Sequence, residues 1–370
     1  MLKIYPLIAT LGLIAMGFTT LSGQVKYSND FLAIGVGAKA QGMSNAQVAS
    51  VSDVTAGYWN PAGLTQLKAP FQLGAMHAEW FAGIAQYDYL AFAKPLNKPN
   101  NAAVGLSVVR LGIDQIPNTL NLIAPDGSIN YDNVTEFSAA DYAVFFSYAQ
   151  DVKIKDRTLS VGGSAKIIRR VIGTFGNSWG FGIDAGAIYQ LNDRWRFGLM
   201  ARDITSTFNA WSFTLTDQEK LVFTTTGNEV PESSLEITRP RFILGAAHSR
   251  DLSSKVSLLA EINMDFTTDG QRNVLISSSA INIDPYMGFE LGYNKFIFLR
   301  GGIGNIQEVK DDFSANETSL SIQPNFGIGL RLGRFNIDYA LTDIGNVSEV
   351  QYSHIFSVSL DFRTRAGTGK

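Results

Sequence analysis

Strict alternation of apolar and polar side chains governs the C-terminal end of this chain. Phe326, Ile328, Leu330 and Leu332 alternate with Asn325, Gly327, Gly329 and Arg331. After a Gly333-Arg334 turn, Phe335, Ile337, Tyr339 and Leu341 alternate with Asn336, Asp338, Ala340 and Thr342. Phe356, Val358, Leu360 and Phe362 then alternate with Ser357, Ser359, Asp361 and Arg363. A period of two means strands with one apolar and one polar face. A soluble sandwich shows this on a few strands. A membrane-spanning barrel must show it on all of them, because lipid touches one face and the lumen the other.

The pattern recurs through the chain. Candidate strands fall at 70–79, 84–94, 101–111, 139–151, 157–171, 178–190, 194–206, 238–250, 255–267, 283–293, 296–304, 320–332, 334–343 and 352–363. That predicts an all-β fold, a transmembrane antiparallel β-barrel of about 14 strands over residues 70–363. Connections alternate in length. Asn192-Asp193, Asp251–Ser254, Asn294-Lys295 and Gly333-Arg334 are tight turns, whereas 112–138, 207–237, 268–282 and 305–319 are long. Short periplasmic turns and longer outer loops have this order. The closing strand is expected to pair with the first, leaving 364–370 as a periplasmic tail.

Residues 1–23 read as a secretory signal: Lys3 is the basic head, Leu7 to Phe18 the apolar stretch, and Ser22-Gly23 precede a cut at Gln24. No later run approaches the ~20 apolar residues of a spanning helix. The chain has no cysteine, which excludes disulfides and thiol chemistry. A net charge of -3 gives no footprint for nucleic acid. His77, His248 and His354 are isolated, and Asp311 to Glu317 lacks the glycine and spacing of a calcium loop. No catalytic motif is present, so no enzyme activity, cofactor or metal is expected.

The inward faces carry Lys166, Asp184, Arg196, Arg202, Glu261, Asp265, Glu290, Arg331, Asp338 and Asp361. Charges of both signs in a confined lumen are expected to pair with one another or with a plug. Residues 24–69 precede the first strand and do not alternate. Gly35, Gly37, Ala38, Ala40, Gly42 and Ala46 permit close backbone packing, and Asp53 to Trp59 suits a helical turn halted by Asn60-Pro61. Such a segment is expected to fill the lumen as a hatch.

This segment also carries a resemblance. Ala40-Gln41-Gly42-Met43, Ala49, Asp53 and Ala56-Gly57-Tyr58-Trp59-Asn60-Pro61-Ala62-Gly63-Leu64 are similar to the opening of the PorV/PorQ family. Ser44-Asn45 stands where that family usually has Gly-Gly. The resemblance covers residues 31–64 and makes Gly42, Met43, Trp59, Asn60, Pro61 and Gly63 the hatch motif. It implies a barrel like the long-chain fatty-acid transporters, with fourteen strands and a lumenal hatch, in a Bacteroidetes-type outer membrane with both termini periplasmic. It further implies service in type IX protein secretion, with a large translocon barrel and the C-terminal domain of secreted cargo as partners beside outer-membrane lipid. Candidate partner-binding residues in the outer loops are Ile116, Leu120, Leu122, Ile123, Phe208, Trp211, Phe213 and Phe223. Two other readings remain: a transporter of hydrophobic small molecules, and a structural barrel or ordinary porin.

Overall fold

The computed structural model describes residues 28–80, 83–96, 100–123, 127–310, 318–342 and 353–362. The expected signal peptide, the C-terminal tail and the acidic stretch 311–317 lie outside them. The strands are β1 (Phe71–Trp80), β2 (Ala85–Pro95), β3 (Ala103–Asn118), β4 (Thr135–Ile154), β5 (Arg157–Ile172), β6 (Gly176–Gln190), β7 (Trp195–Arg202), β8 (Thr207–Phe213), β9 (Leu235–Thr238), β10 (Arg241–Asp251), β11 (Val256–Thr267), β12 (Asn282–Tyr293), β13 (Ile297–Lys310), β14 (Thr318–Leu332), β15 (Phe335–Thr342) and β16 (Ser353–Phe362). All pair antiparallel, and β1 closes on β16 with Phe71 opposite Phe362. The expected closing pair is therefore formed, and among the described strands only the short β9 keeps an unpaired edge.

These segments make fourteen crossings, because two crossings are interrupted. β7 and β8 lie end to end along the same side of β6: Ala185 faces Ala201, and Phe181 faces Phe208. β9 and β10 run likewise beside β8 and β7. The break in one crossing holds Asp203 and Ser206 at φ 53° and 57°. The break in the other holds Pro240, which has no N–H to give a ladder. Lys166 bridges the gap, with Nζ 2.8 Å from Asp184 and 2.6 Å from Asp203. Asp184 also accepts the Asp203 N–H at 2.7 Å.

The region expected as an outer loop at 207–237 thus begins and ends as an extension of the wall, with β8 and β9 rising to a helix at Asp217–Thr225. That helix starts on a capping box between Thr216 and Glu219. Ile116 belongs to β3, and the expected loop 112–138 shrinks to the residues between Asn118 and Thr135. The alternation of short and long connections holds with two exceptions: β1–β2 and β5–β6 are joined by short links on the outer side. Sequence periodicity places a strand's face well but its outer end poorly, because strand pairing can continue above the membrane without an apolar face.

The outer face is apolar. Phe197, Leu199, Leu244, Ile262, Met264, Met287, Phe326, Ile328 and Ile337 are all exposed. The inner face is polar, and several of its charges pair with one another while Glu261 and Arg202 bond to the backbone of residues 28–67. Arg300 lies 2.7 Å from both Glu290 and Asp338. Arg170 meets Asp141 at 3.0 Å and Glu236 at 3.4 Å. Arg241 pairs with Asp265. Gln72 donates to Asp361 at 2.5 Å, and Arg331 donates to Asn336 at 2.8 Å. Ion pairs of this kind compensate these charges in the confined interior, whereas Arg202 finds its partner in the Leu32 carbonyl rather than a carboxylate.

Replacing Ile262 or Ile337 with arginine is expected to cost ~2–4 kcal/mol by placing charge in hydrocarbon. Asn336→Asp, on the opposite face and beside Arg331, is expected to change stability by less than about 0.5 kcal/mol. Denaturant titration of protein folded into phospholipid vesicles reads both; equal costs would mean the faces are reversed.

Candidate functional site

Residues 28–67 occupy the barrel interior. Their chain is mostly turns: short helices at Ala38–Gln41 and Ala56–Trp59, and 3-10 turns at Asp30–Leu32 and Pro61–Gln66. Almost all of it is buried; Val36, Met43, Ala46, Val48, Ala49 and Val51 have no exposed surface. A segment with so little regular structure must satisfy its polar backbone elsewhere, and the Trp-Asn-Pro-Ala-Gly-Leu run does much of this. Trp59 Nε1 donates to Val36 O at 2.9 Å. Tyr58 donates its hydroxyl to Leu32 O at 2.7 Å and accepts the Gly35 N–H.

Asn60 is the hub of the segment. Its Nδ2 reaches Val48 O at 2.9 Å within the segment, and Ala187 O at 3.2 Å and Leu199 O at 3.4 Å on the wall. Its Oδ1 accepts the Ala62 N–H, which starts the turn at Pro61. Pro61 suits that first position because its missing donor has no partner to lose there. Ser44 and Asn45 adopt φ 52° and 67°. That left-handed backbone is the one glycine takes most easily.

The wall receives this segment on a collar of glycines. Gly74 meets Val54, Gly105 meets Leu64, Gly162 meets Pro61, Gly186 meets Asn60 and Gly198 meets Val48. Gly245 meets Ala49, Gly288 meets Met43, Gly302 meets Met43 and Ser44, and Gly327 meets Gly42. The strand registers are staggered by about one residue per strand, and with that allowed for the nine positions fall within a few residues of one level. A Cβ at Gly198 would stand 2.5 Å from Val48 O, and one at Gly302 2.5 Å from the Met43 carbonyl carbon. Elsewhere on the collar, Gly57 of the segment packs on Ser147, and Glu261 accepts the Ala49 N–H at 2.7 Å. Gly63 serves the segment itself, since a Cβ there would stand 2.6 Å from Val51 O.

The segment divides the lumen. On its outer side is a chamber of about 490 Å³, lined by Ile34, Trp59, Trp80, Ile243 and Tyr286 among Arg202, Arg241, Arg272, Asp30 and Asp284. Arg202 donates to Leu32 O at 2.8 Å and lies 4.6 Å over the Tyr58 ring. Burial pushes the Asp30 carboxyl above its ordinary range, against the pull of Arg272 and Arg241. On the periplasmic side is a polar space of about 250 Å³ bordered by Lys39, Asp53, Arg300, Arg331 and Asp338. The chamber sets aromatic rings and arginines beside polar side chains such as Asn325 and Thr342. Among the described residues no cluster of His, Cys, Asp and Glu could hold a metal ion.

The hatch-motif residues all lie in the inner segment, but Gly42 and Met43 rest on β12 to β14 whereas Asn60 and Pro61 rest on β5 and β6, and the expected partner-binding residues are scattered. Phe208 faces outward from β8, whereas Trp211 is half-buried, donates to Glu236 at 2.7 Å and stacks on Phe213. Ile116, Leu120, Leu122 and Phe223 are half-buried, and Ile123 is exposed. The collar, the chamber and the break at Asp203 were not foreseen. The signal for the collar was present, as glycines recurring on the polar faces of successive strands.

A closed antiparallel barrel of fourteen crossings, apolar outside and filled by its own N-terminal chain, defines an integral membrane barrel. No protein-family model matches the chain, and no curated protein matches its sequence. Solved structures do match. The Pseudomonas putida toluene transporter TodX superposes with a TM-score of 0.54 at 13% identity, covering 89% of this chain and 98% of that one. The Ralstonia pickettii toluene transporter TbuX gives 0.52 at 13% identity, covering 89% and 99%. A Pseudomonas aeruginosa FadL homologue gives 0.53 at 13% identity, covering 89% and 98%. The fold is therefore FadL-like.

The collar predicts a face-specific response on one strand. Gly162→Ala brings a methyl to within 2.6 Å of the Pro61 carbonyl carbon, an overpacking expected to cost ~1–3 kcal/mol. Gly163→Ala, one residue on and on the other face, meets only an ordinary contact at 3.4 Å and should stay within about 0.5 kcal/mol of the parent. Asn60→Ala leaves buried carbonyls without their donor and should cost ~1–3 kcal/mol. Thermal unfolding and limited proteolysis around residues 28–67 report all three.

Proposed function

We propose that this chain is a non-enzymatic outer-membrane barrel that takes up hydrophobic or amphipathic small molecules through the chamber above its inner segment. The observation that carries this reading is the likeness of fold to the toluene transporters over 89% of the chain. The rings of Trp59, Trp80 and Tyr286 and the side chains of Ile34 and Ile243 support it, set in a lining that is otherwise largely polar, because small-molecule sites combine apolar lining with placed polar groups. Arg202, Arg241, Arg272, Asp30 and Asp284 supply polar groups of both signs for the polar end of an amphipathic ligand. On this reading residues 28–67 are a hatch that separates the chamber from the periplasm, and the mature chain has both ends in the periplasm.

A second reading rests on the resemblance around Trp59 to Leu64 and on the outer hairpin. There Leu221, Leu235 and Phe208 are exposed on an extension that rises from the barrel wall. It makes the barrel a component of type IX secretion that binds a translocon barrel or the C-terminal domain of cargo. Exposed apolar groups on a projecting element mark partner surfaces.

Uptake measurements test the first reading. Deleting the gene should slow entry of a labelled monoaromatic hydrocarbon or fatty acid, and the parent gene should restore it. Ile243→Trp, which fills the chamber, should slow entry by about fivefold or more if the chamber is the binding site. Unchanged uptake after deletion, together with no bound small molecule in native mass spectra, would sink it. Recovery of secreted proteins sharing one C-terminal domain on the tagged barrel, lost when residues 214–234 are shortened, would favour the second.

A further inference from the structure

The apolar belt of this barrel does not have the same height all the way round. On β11 the outward side chains are Leu258, Ala260, Ile262, Met264 and Phe266, and on β12 they run from Leu291 to Ile283. With strands rising ~3.3 Å per residue and tilted by roughly 35–40°, that is a band of ~22 Å. It approaches the ~25 Å typical of outer-membrane barrels. On β1 the apolar row stops after Phe71, Leu73 and Ala75, and the next outward residues are His77 and Glu79. On β2 it stops at Leu90, before Asp88 and Gln86; on β3 at Val108, before Arg110. On β16 it stops at Phe356, before His354. Here the band is only ~5–16 Å high, lowest on β2, where Lys94 follows Phe92 on the outward face.

These polar residues sit on neighbouring strands and form one patch. His77 faces Asp88 in the ladder, and Asp88 faces Arg110. His77 Nδ1 lies 2.7 Å from Asp88, and Arg110 donates to the other Asp88 oxygen at 3.0 Å. Glu79 stands opposite His354, whose ring is 2.8 Å from the Tyr339 hydroxyl. The side chains of His77 and Glu79 are 53% and 66% exposed. They do not turn inward to the lumen, where the other charges are paired. The wall is also lowest here, because β1 and β2 are short and joined by a short link.

We infer that the outward face of β16, β1, β2 and β3 is a notch in the apolar belt that binds the hydrated headgroup layer of the membrane. Outer-leaflet lipids are drawn down against it, so the bilayer is thinner on this side than beside β11 and β12. Thinning is one of the ordinary responses to a hydrophobic surface shorter than the bilayer. Within the notch Asp88 pairs with Arg110 and lies against His77, and these exposed polar side chains require water and headgroups around them. The inference rests on the chain being a membrane barrel, and the test separates the two.

The chain has no cysteine, so single cysteines can be placed at matched levels. Glu79→Cys and Gln86→Cys lie in the notch; Phe266→Cys and Ile283→Cys stand at corresponding levels on the tall side. The protein is folded into phosphatidylcholine vesicles and labelled with a membrane-impermeant maleimide. The notch pair should react readily, and the tall-side pair at least about tenfold more slowly. Longer-chain lipids should slow folding into vesicles, and Glu79→Leu combined with His77→Leu should relieve that slowing. Protection at all four positions would overturn the notch while keeping the membrane barrel. Fast reaction at all four would remove the membrane belt itself. Protection at Glu79→Cys only at high protein-to-lipid ratio would assign the notch to a second copy of the chain and overturn the lipid assignment.

Discussion

Direct contact between the inner segment's backbone and the barrel wall is the constraint on which this molecule depends. Residues 28–67 have little secondary structure of their own, so they cannot hold a shape in isolation. They hold one because the wall withdraws its side chains where the segment passes. Val48, Met43, Pro61 and Asn60 lie against Gly198, Gly288 and Gly302, Gly162 and Gly186 in turn. Asn60 completes the fit by serving carbonyls of both segment and wall. Each glycine costs strand stability by itself, and the burial of segment against wall offsets that cost.

The division of the lumen follows from this contact. A segment seated at one level leaves space above and below it, and the two spaces differ. The outer chamber mixes aromatic and aliphatic groups with arginines, whereas the periplasmic space is lined mainly by ion pairs and amides. Charges on the lumenal face are neutralised locally, as Lys166 is by Asp184 and Asp203, and Arg300, which borders the periplasmic space, by Glu290 and Asp338. Uptake through such a barrel would be governed by what the outer chamber accepts, since the ion-paired layers beneath it are costly to open.

The outer surface is equally uneven. A barrel is often pictured with a level belt, but the registers here raise polar side chains into the upper part of the belt on β16 to β3. The same four strands border the lowest part of the rim. Outer hairpin, tall wall and low wall thus follow one another around the ring, so the molecule presents different faces to the membrane and to the outside.

Much of this was legible in the residues. Alternation through Phe326 to Phe362, repeated back to Phe71, decides face and strand number because a strand's side chains have a strict period of two. The pairing of lumenal charges also follows from composition and face. The motif around Asn60 marked the segment but not its partners, since Ala187 and Leu199 lie more than a hundred residues away. Loop residues were the least legible: Trp211 and Phe213 look like an exposed cluster in sequence, yet strand pairing beyond the belt turns Trp211 toward Glu236. By itself the sequence determined the barrel, its faces and its filled lumen, because these depend on local periodicity and on the absence of any other place for residues 24–69. Only the tertiary structure decided the collar, the chamber and the notch. Each depends on the stagger between strands, and that stagger is set by register around the closed ring rather than by any one strand.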